Sequence, residues 1–228
     1  MFIAIRYTRP LAPFALVAIV GSTAFAGTVT YFDGTFNNSN WALTSYGTGV
    51  VTGSQSGNSD GNPGFARDVL NDLIGNGTVQ GFHERTASVY DPDVSRKITS
   101  IDFSIDAKWI GGTAGNGQQV AFALSQNGVD FKTSSVATGS SGNWNTISMT
   151  LTAADFTRID GQAGSVDFTP DGGLITFGFV TANTGNNYNV QARYDNYNVV
   201  VHTIPLPSAA GMGLATTGCL ALRRRRRS

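Results

Sequence analysis

Ile98-Thr99-Ser100-Ile101-Asp102-Phe103-Ser104-Ile105-Asp106-Ala107-Lys108-Trp109-Ile110 is the stretch that decides the fold. Ile101, Phe103, Ile105, Ala107 and Trp109 alternate with Asp102, Ser104, Asp106 and Lys108. That period of two sends one row of side chains into a core and the other into solvent, which predicts a half-buried β-strand. Gly111-Gly112 ends it. Gln119 to Gln126 predicts the return strand, with Val120, Phe122 and Leu124 facing in. Asn127-Gly128 is a hairpin turn, since both residues accept a positive φ, and Val129 to Lys132 is its partner strand.

Outward from this hairpin the pattern persists. Thr28 to Phe32 puts Val29 and Tyr31 on one face. Val79 to Phe82 and Thr146 to Leu151 follow, then Ile175, Phe177 and Phe179, and a last strand runs from Asn189 to His202 with a break at Asp195-Asn196. Thr152 and Asp155 approximate a capping box, predicting one short helix through Phe156 and Ile159. Residues 53–64, rich in Gly, Ser and Asn, read as a loop. With one glutamate and three lysines in the whole chain, helices are disfavoured. The expected fold is all-β, an antiparallel sandwich with at most one short helix.

The ends of the chain read differently. Arg6 and Arg9, the apolar run Leu11 to Val20, and Ala24-Phe25-Ala26 before Gly27 form a secretory signal peptide over 1–26, which implies a translocon and a signal peptidase. Residues 204–228 hold Pro205-Leu206-Pro207-Ser208, an apolar run over 209–222, and Arg223, Arg224, Arg225, Arg226 and Arg227. Fourteen residues of helix are about 21 Å long; with Ile204 to Ser208 the run nears the lower limit for a membrane span. The arginines behind it are a stop signal that keeps the C-terminus cytoplasmic. The middle, 27–203, is then one ectodomain. Between Gly27 and His202 it carries eight basic residues against fifteen acidic ones, a net of −7 that argues against nucleic acid and anionic lipid as partners. The single cysteine, Cys219, lies in the tail, so the ectodomain has no disulfide.

The tail resembles the PEP-CTERM sorting signal of exported bacterial proteins: a Pro-x-Pro motif, a small-residue apolar helix and a terminal Arg cluster. Leu206 stands where the usual motif has Glu, so this is a Pro-Leu-Pro variant. The resemblance implies processing by an exosortase, transient anchoring in the membrane, and a mature protein at the cell surface or outside. Tyr31-Phe32-Asp33-Gly34 and Tyr194-Asp195-Asn196-Tyr197-Asn198-Val199 resemble the first and last strands of jelly-roll domains related to carbohydrate-binding modules. That implies two sheets with neighbouring termini, and a structural calcium where those strands meet, on Asp33 and Asp195.

Chemistry is sparse. Glycan hydrolysis needs two carboxylates about 5–9.5 Å apart, and Glu84 is the only glutamate. The clustered acidic pattern of jelly-roll glycanases therefore cannot form, and an unrecognised Asp pair is what a hydrolase reading would require. His83 and His202 are the only histidines; His83 reads as an exposed polar residue beside Glu84 and Arg85, and His202 as the end of the domain. Asn58, Asp60 and Asn62 have calcium-loop spacing, but Pro63 and Val69 stand where an EF-hand needs Gly and Glu. Sugar binding needs an aromatic shelf with neighbouring polar groups. Trp41, Trp144 and Tyr188 are the candidate shelves, Tyr188 within the amide-rich stretch 183–189 read as a loop. Tyr46 and Trp109 are further possible shelves, Trp109 being in phase with the core. The sequence thus points to a non-enzymatic exported β-sandwich of the envelope or extracellular matrix. Binding of extracellular polysaccharide is the first alternative, and glycan hydrolysis the second.

Overall fold

The computed structural model describes residues 26–92, 96–113, 117–139 and 142–205. The signal peptide to residue 25, Leu206-Pro207-Ser208, the apolar run 209–222 and Arg223 to Arg227 lie outside the described residues. Among the described residues no helix is long and apolar enough to cross a membrane.

The strands are β1 (Gly27–Asp33), β2 (Trp41–Gly47), β3 (Gly49–Gln55), β4 (Arg67–Tyr90), β5 (Arg96–Gly112), β6 (Gln119–Gln126), β7 (Val129–Lys132), β8 (Val136–Ala137), β9 (Asn145–Leu151), β10 (Thr157–Arg158) and β11 (Ile175–Pro205). Every pairing between them is antiparallel. Two long strands, β4 and β11, run side by side from Tyr194–Arg67 to Ile175–Tyr90 and pass from one layer of the sandwich into the other. The first layer has the order β10-β7-β6-β11-β4-β2, built on the front half of β11. In the second, the rear half of β11 pairs with β5 on one side and with β1 and β4 on the other, and β9 and β3 flank these. The layers face each other through stacked rings: Phe103 of β5 lies 4.7 Å from Phe122 of β6. Gly27 pairs with Thr203, so the two ends of the domain are neighbours, as the jelly-roll resemblance implies. This is an all-β antiparallel sandwich.

The predicted strands hold, and Asn127-Gly128 turns with φ of 54° and 74°. Four readings are corrected. The last strand begins at Ile175, and 183–189 is strand, not loop: Asn183 to Asn186 pair with Val79 to Asn76. The register shifts by one there: Asn187, which takes a φ of 47°, stands alone opposite Ile74 and Gly75, so the extra residue of the bulge is on β4. The strand also runs to Pro205, paired with Arg96, so the ectodomain boundary drawn at 203 falls inside it. The loop at 53–64 begins only at Ser56, because Gly53 to Gln55 pair with Val69 to Arg67. The helix is a single 3-10 turn, Ala153–Asp155, closed by Thr152 N–H and hydroxyl bonds to the Asp155 carboxylate and extending to neither Phe156 nor Ile159.

Candidate functional site

β4, β11 and β6 bury both of their faces in the first layer. The inward row is Leu43–His83–Phe179–Phe122; the outward row is Thr44–Phe82–Val180–Ala121. An outward row should be wet, yet Phe82, Val180, Ala121 and Ala123 are buried and form a second apolar cluster with Ile159 and Tyr46. Curvature is the reason. The Tyr46 hydroxyl of β2 donates to Asp130 of β7. Those strands are four positions apart, about 19 Å along a flat sheet. One tyrosine and one aspartate close that span only if the layer curls into a trough with Phe82 and Val180 on its floor. Gly178 completes the floor, since a Cβ there would come within 2.8 Å of the Phe82 ring.

Above this floor the Tyr46 ring is half-buried, with Asp130 bonded to its hydroxyl and Asp160 and Glu84 near it. Burial pushes its hydroxyl pKa up, and the bond to Asp130 and the charges of Asp160 and Glu84 push it further. Glu84 accepts from the Thr176 hydroxyl, and Asp160 pairs with Arg158 at 3.0 Å from Nε. Lys132 is half-buried on the same face, with its pKa lowered by burial. Gln80, the cross-strand neighbour of Tyr46, buries its Oε1 with no hydrogen-bond partner among the described residues. Of these only Tyr46 was singled out as an aromatic shelf from the sequence. Asp130 and Asp160 carried no local signal, because it is the curl that brings them to Tyr46.

The other candidate shelves are placed elsewhere. Trp41 is in the core, stacked on Phe36 at 5.0 Å with the Arg67 guanidinium 5.3 Å from its centroid, so it presents no surface. Trp144 is half-buried with the Lys108 ammonium 5.7 Å from its ring. Tyr188 packs its ring over Gly185 and donates to the Thr184 carbonyl at 2.7 Å. Trp109, expected in the core, is only half-buried, and its Nε1 has no partner among the described residues.

His83 is corrected outright: it is fully buried, not exposed. Its ring stacks on Phe179 at 4.8 Å, and its Nδ1 accepts from Arg67 Nε at 3.0 Å. The proton is therefore on Nε2, facing the Thr181 hydroxyl at 3.4 Å; Thr181 donates to Asn71, Asn71 to Asn183, and Asn183 to the Gly117 carbonyl. Every donor in this chain points the same way. Burial, then the Arg67 charge, holds the His83 pKa well below the usual histidine value.

Asp33 and Asp195, the implied calcium ligands, do different work. Asp33 Oδ1 accepts from Thr35 N and Phe36 N at 2.8 and 2.9 Å, and Oδ2 accepts from Trp41 Nε1 at 3.0 Å and Arg85 Nε at 3.3 Å. Burial pushes its carboxyl up, but the hydrogen bonds from Thr35, Phe36 and Trp41 outweigh burial and hold it below the ordinary range. Asp195 is buried under the 56–66 loop, accepts from Asn62 N–H and stands opposite Asp106 on β5. Burial raises its pKa, and the charges of Asp106 and Asp33 add to the rise. Among the described residues no three His, Cys, Asp or Glu side chains are grouped to hold a metal ion.

No family model and no curated protein matches the chain. Among solved structures, it resembles the family 11 carbohydrate-binding module of the cellulosomal cellulase Lic26A-Cel5E of Clostridium thermocellum, with 18% identity, 70% of this chain and 86% of that one covered, and a TM-score of 0.43. It also resembles the CBM22-1 xylan-binding domain of Paenibacillus barcinonensis Xyn10C, with 10% identity, coverage of 76% and 92%, and a TM-score of 0.41. An exo-beta-agarase is similar at 13% identity, 78% and 26% coverage, and a TM-score of 0.42. Carbohydrate-binding modules are thus among the structural neighbours.

Proposed function

We propose that this chain is a non-enzymatic, glycan-binding β-sandwich whose binding face is the curled first layer. One observation carries the reading: a half-buried aromatic ring, Tyr46, is fixed above an apolar floor with Glu84, Asp130, Asp160 and the unsatisfied Gln80 oxygen around it. A pyranose offers an apolar face to an aromatic ring and a rim of hydroxyl donors to carboxylates. Acceptors dominate this rim, which suits neutral rather than acidic glycans. Affinity electrophoresis of the full chain in neutral polysaccharides tests the proposal. Tyr46→Ala should weaken retention about tenfold, whereas Tyr46→Phe, which keeps the ring and loses the bond to Asp130, should keep most of it. Retention unchanged in Tyr46→Ala would overturn the assignment.

The proposal extends to export. The domain would be secreted by its signal peptide, inserted by its tail, cut near Pro205–Pro207 by an exosortase, and held at or released from the bacterial surface. The sequence of the two ends supports this: Ala24-Phe25-Ala26 stands before Gly27, and Pro205-Leu206-Pro207 precedes the apolar run and five arginines. Intact mass of the protein from its native host decides it. A species lacking 1–26 and the residues after the proline motif is expected; a full-length C-terminus in the membrane fraction would leave the tail as a plain anchor and remove the exosortase.

A further inference from the structure

The outer face of the second layer carries a separate constellation. Phe32 is 57% exposed, although Val29 and Tyr31 of the same strand pack on the core. Its ring lies against Gly34, where a Cβ would stand 3.3 Å from Cζ, so it is held beside the sheet. Phe32 pairs with Asn198, Asn198 with Ser104, and Ser104 with Ser148, one transverse row across β1, β11, β5 and β9. Three strand spacings make that row about 14 Å long. The sheet is dished here: Ser104, Ser148 and Asn198, with Asp102 and Thr150 of the next row, line a depression of about 360 Å³.

The polar groups of this depression fall into two kinds. Asp102 is fully engaged, accepting from Thr150 Oγ1 at 2.7 Å and bonded to His202 Nε2 at 2.8 Å. The Ser104 and Ser148 hydroxyls and the Asn198 amide make no side-chain hydrogen bond to the described residues, so donors and acceptors stand free beside an exposed aromatic ring. A buried role would have paired them, and the ring at the end of their row is more than half exposed.

We propose that Phe32, Asn198, Ser104 and Ser148 form a second glycan site, in which one sugar ring of a neutral polysaccharide lies on Phe32, and Asn198, Ser104 and Ser148 bond hydroxyls of that ring and of the next ones along the row. This site is independent of the Tyr46 trough, which opens on the other layer. A protein with both could bridge two polysaccharide chains.

The probes are hydroxyethylcellulose, laminarin and galactomannan in affinity electrophoresis of the full chain. Phe32→Ala and Asn198→Ala, each made in a Tyr46→Ala background, should weaken the residual retention about tenfold. Phe32→Trp should restore or strengthen it. Phe32 is exposed, so unchanged thermal midpoints are expected and confirm that the variants are folded. Retention lost wholly in Tyr46→Ala, or unaffected by Phe32→Ala and Asn198→Ala, would overturn the second site and leave the trough standing. Retention lost in Phe32→Ala and unaffected by Tyr46→Ala would support this site and remove the trough. A wild type retained by none of the three would overturn both.

Discussion

Acid should weaken this fold through one side chain, His83. Its ring is sealed between Phe179 and Gly53, where a Cβ would come within 2.9 Å of the imidazole, and its Nδ1 already accepts from the Arg67 guanidinium. A proton on Nδ1 would set two cations against each other with no room to part. The unfolded chain binds that proton with a pKa of about 6.5, and the folded chain only well below it. A base whose folded pKa is depressed contributes its full stability above the unfolded value and loses it as the pH falls through that value toward the folded one. The slope approaches about 1.4 kcal/mol per pH unit, so the loss at pH 5.5 is about 1.4 kcal/mol. For a domain of this size that lowers the midpoint by about 3–6 °C. Asp195 shifts in the opposite sense, with a raised pKa, so the reference must be a variant. His83→Gln can accept from Arg67, donate to Thr181, and not titrate. Urea unfolding followed by tryptophan fluorescence from pH 7.5 to 5.5 should show the wild type losing stability against His83→Gln below pH 6.5. Parallel profiles for the two proteins would refute the buried neutral histidine.

Three more outcomes follow from the same contacts. Asp33→Ala removes the acceptor of two backbone N–H groups, the Trp41 indole and the Arg85 guanidinium, and should cost about 3–5 kcal/mol in urea unfolding. Gly178→Ala would place a Cβ within 2.1 Å of the His83 carbonyl oxygen; overpacking of about 1–3 kcal/mol should appear as a lower thermal midpoint, and an unchanged midpoint would mean the trough floor is looser than drawn. Asp106→Asn keeps an oxygen for the Asn62 and Asn196 amides and offers N–H to the Thr146 hydroxyl, while removing the charge opposite Asp195. It should leave stability unchanged or raise it by up to about 1 kcal/mol, equally in calcium and in chelator; a loss confined to calcium would show that the two carboxylates share a cation.

What the sequence disclosed follows from how each strand is buried. Ile98 to Ile110 is legible because one of its faces meets the core and the other meets water, so hydrophobicity alternates. The same rule exposes Phe32: with Val29 and Tyr31 inward, it can only point out. Alternation fails where both faces are dry. In β6, Ala121 and Ala123 are as buried as Phe122 and Leu124, and in β4 the outward Phe82 is as buried as the inward His83. The signal that reports facing is absent there, and so are the limits of β4 and its partners β2 and β3. The His-Glu-Arg context suggested a wet His83, but only Glu84 lies on the outer face; Arg85 turns back to Asp33.

The trough was illegible for a further reason. Tyr46 and Asp130 are 84 residues apart, and their hydrogen bond exists only because four strand spacings are curled to the reach of two side chains. Curl is a sum over the layer, set by small floor residues such as Gly178 and Ala123 that look like indifferent strand positions. The implied calcium site is the complementary case. Asp33 and Asp195 do come to the junction of the first and last strands, but an arginine, an indole and backbone N–H groups reach Asp33 there, and a like charge faces Asp195. Position along the chain located those carboxylates; only their neighbours could say whether they await a cation.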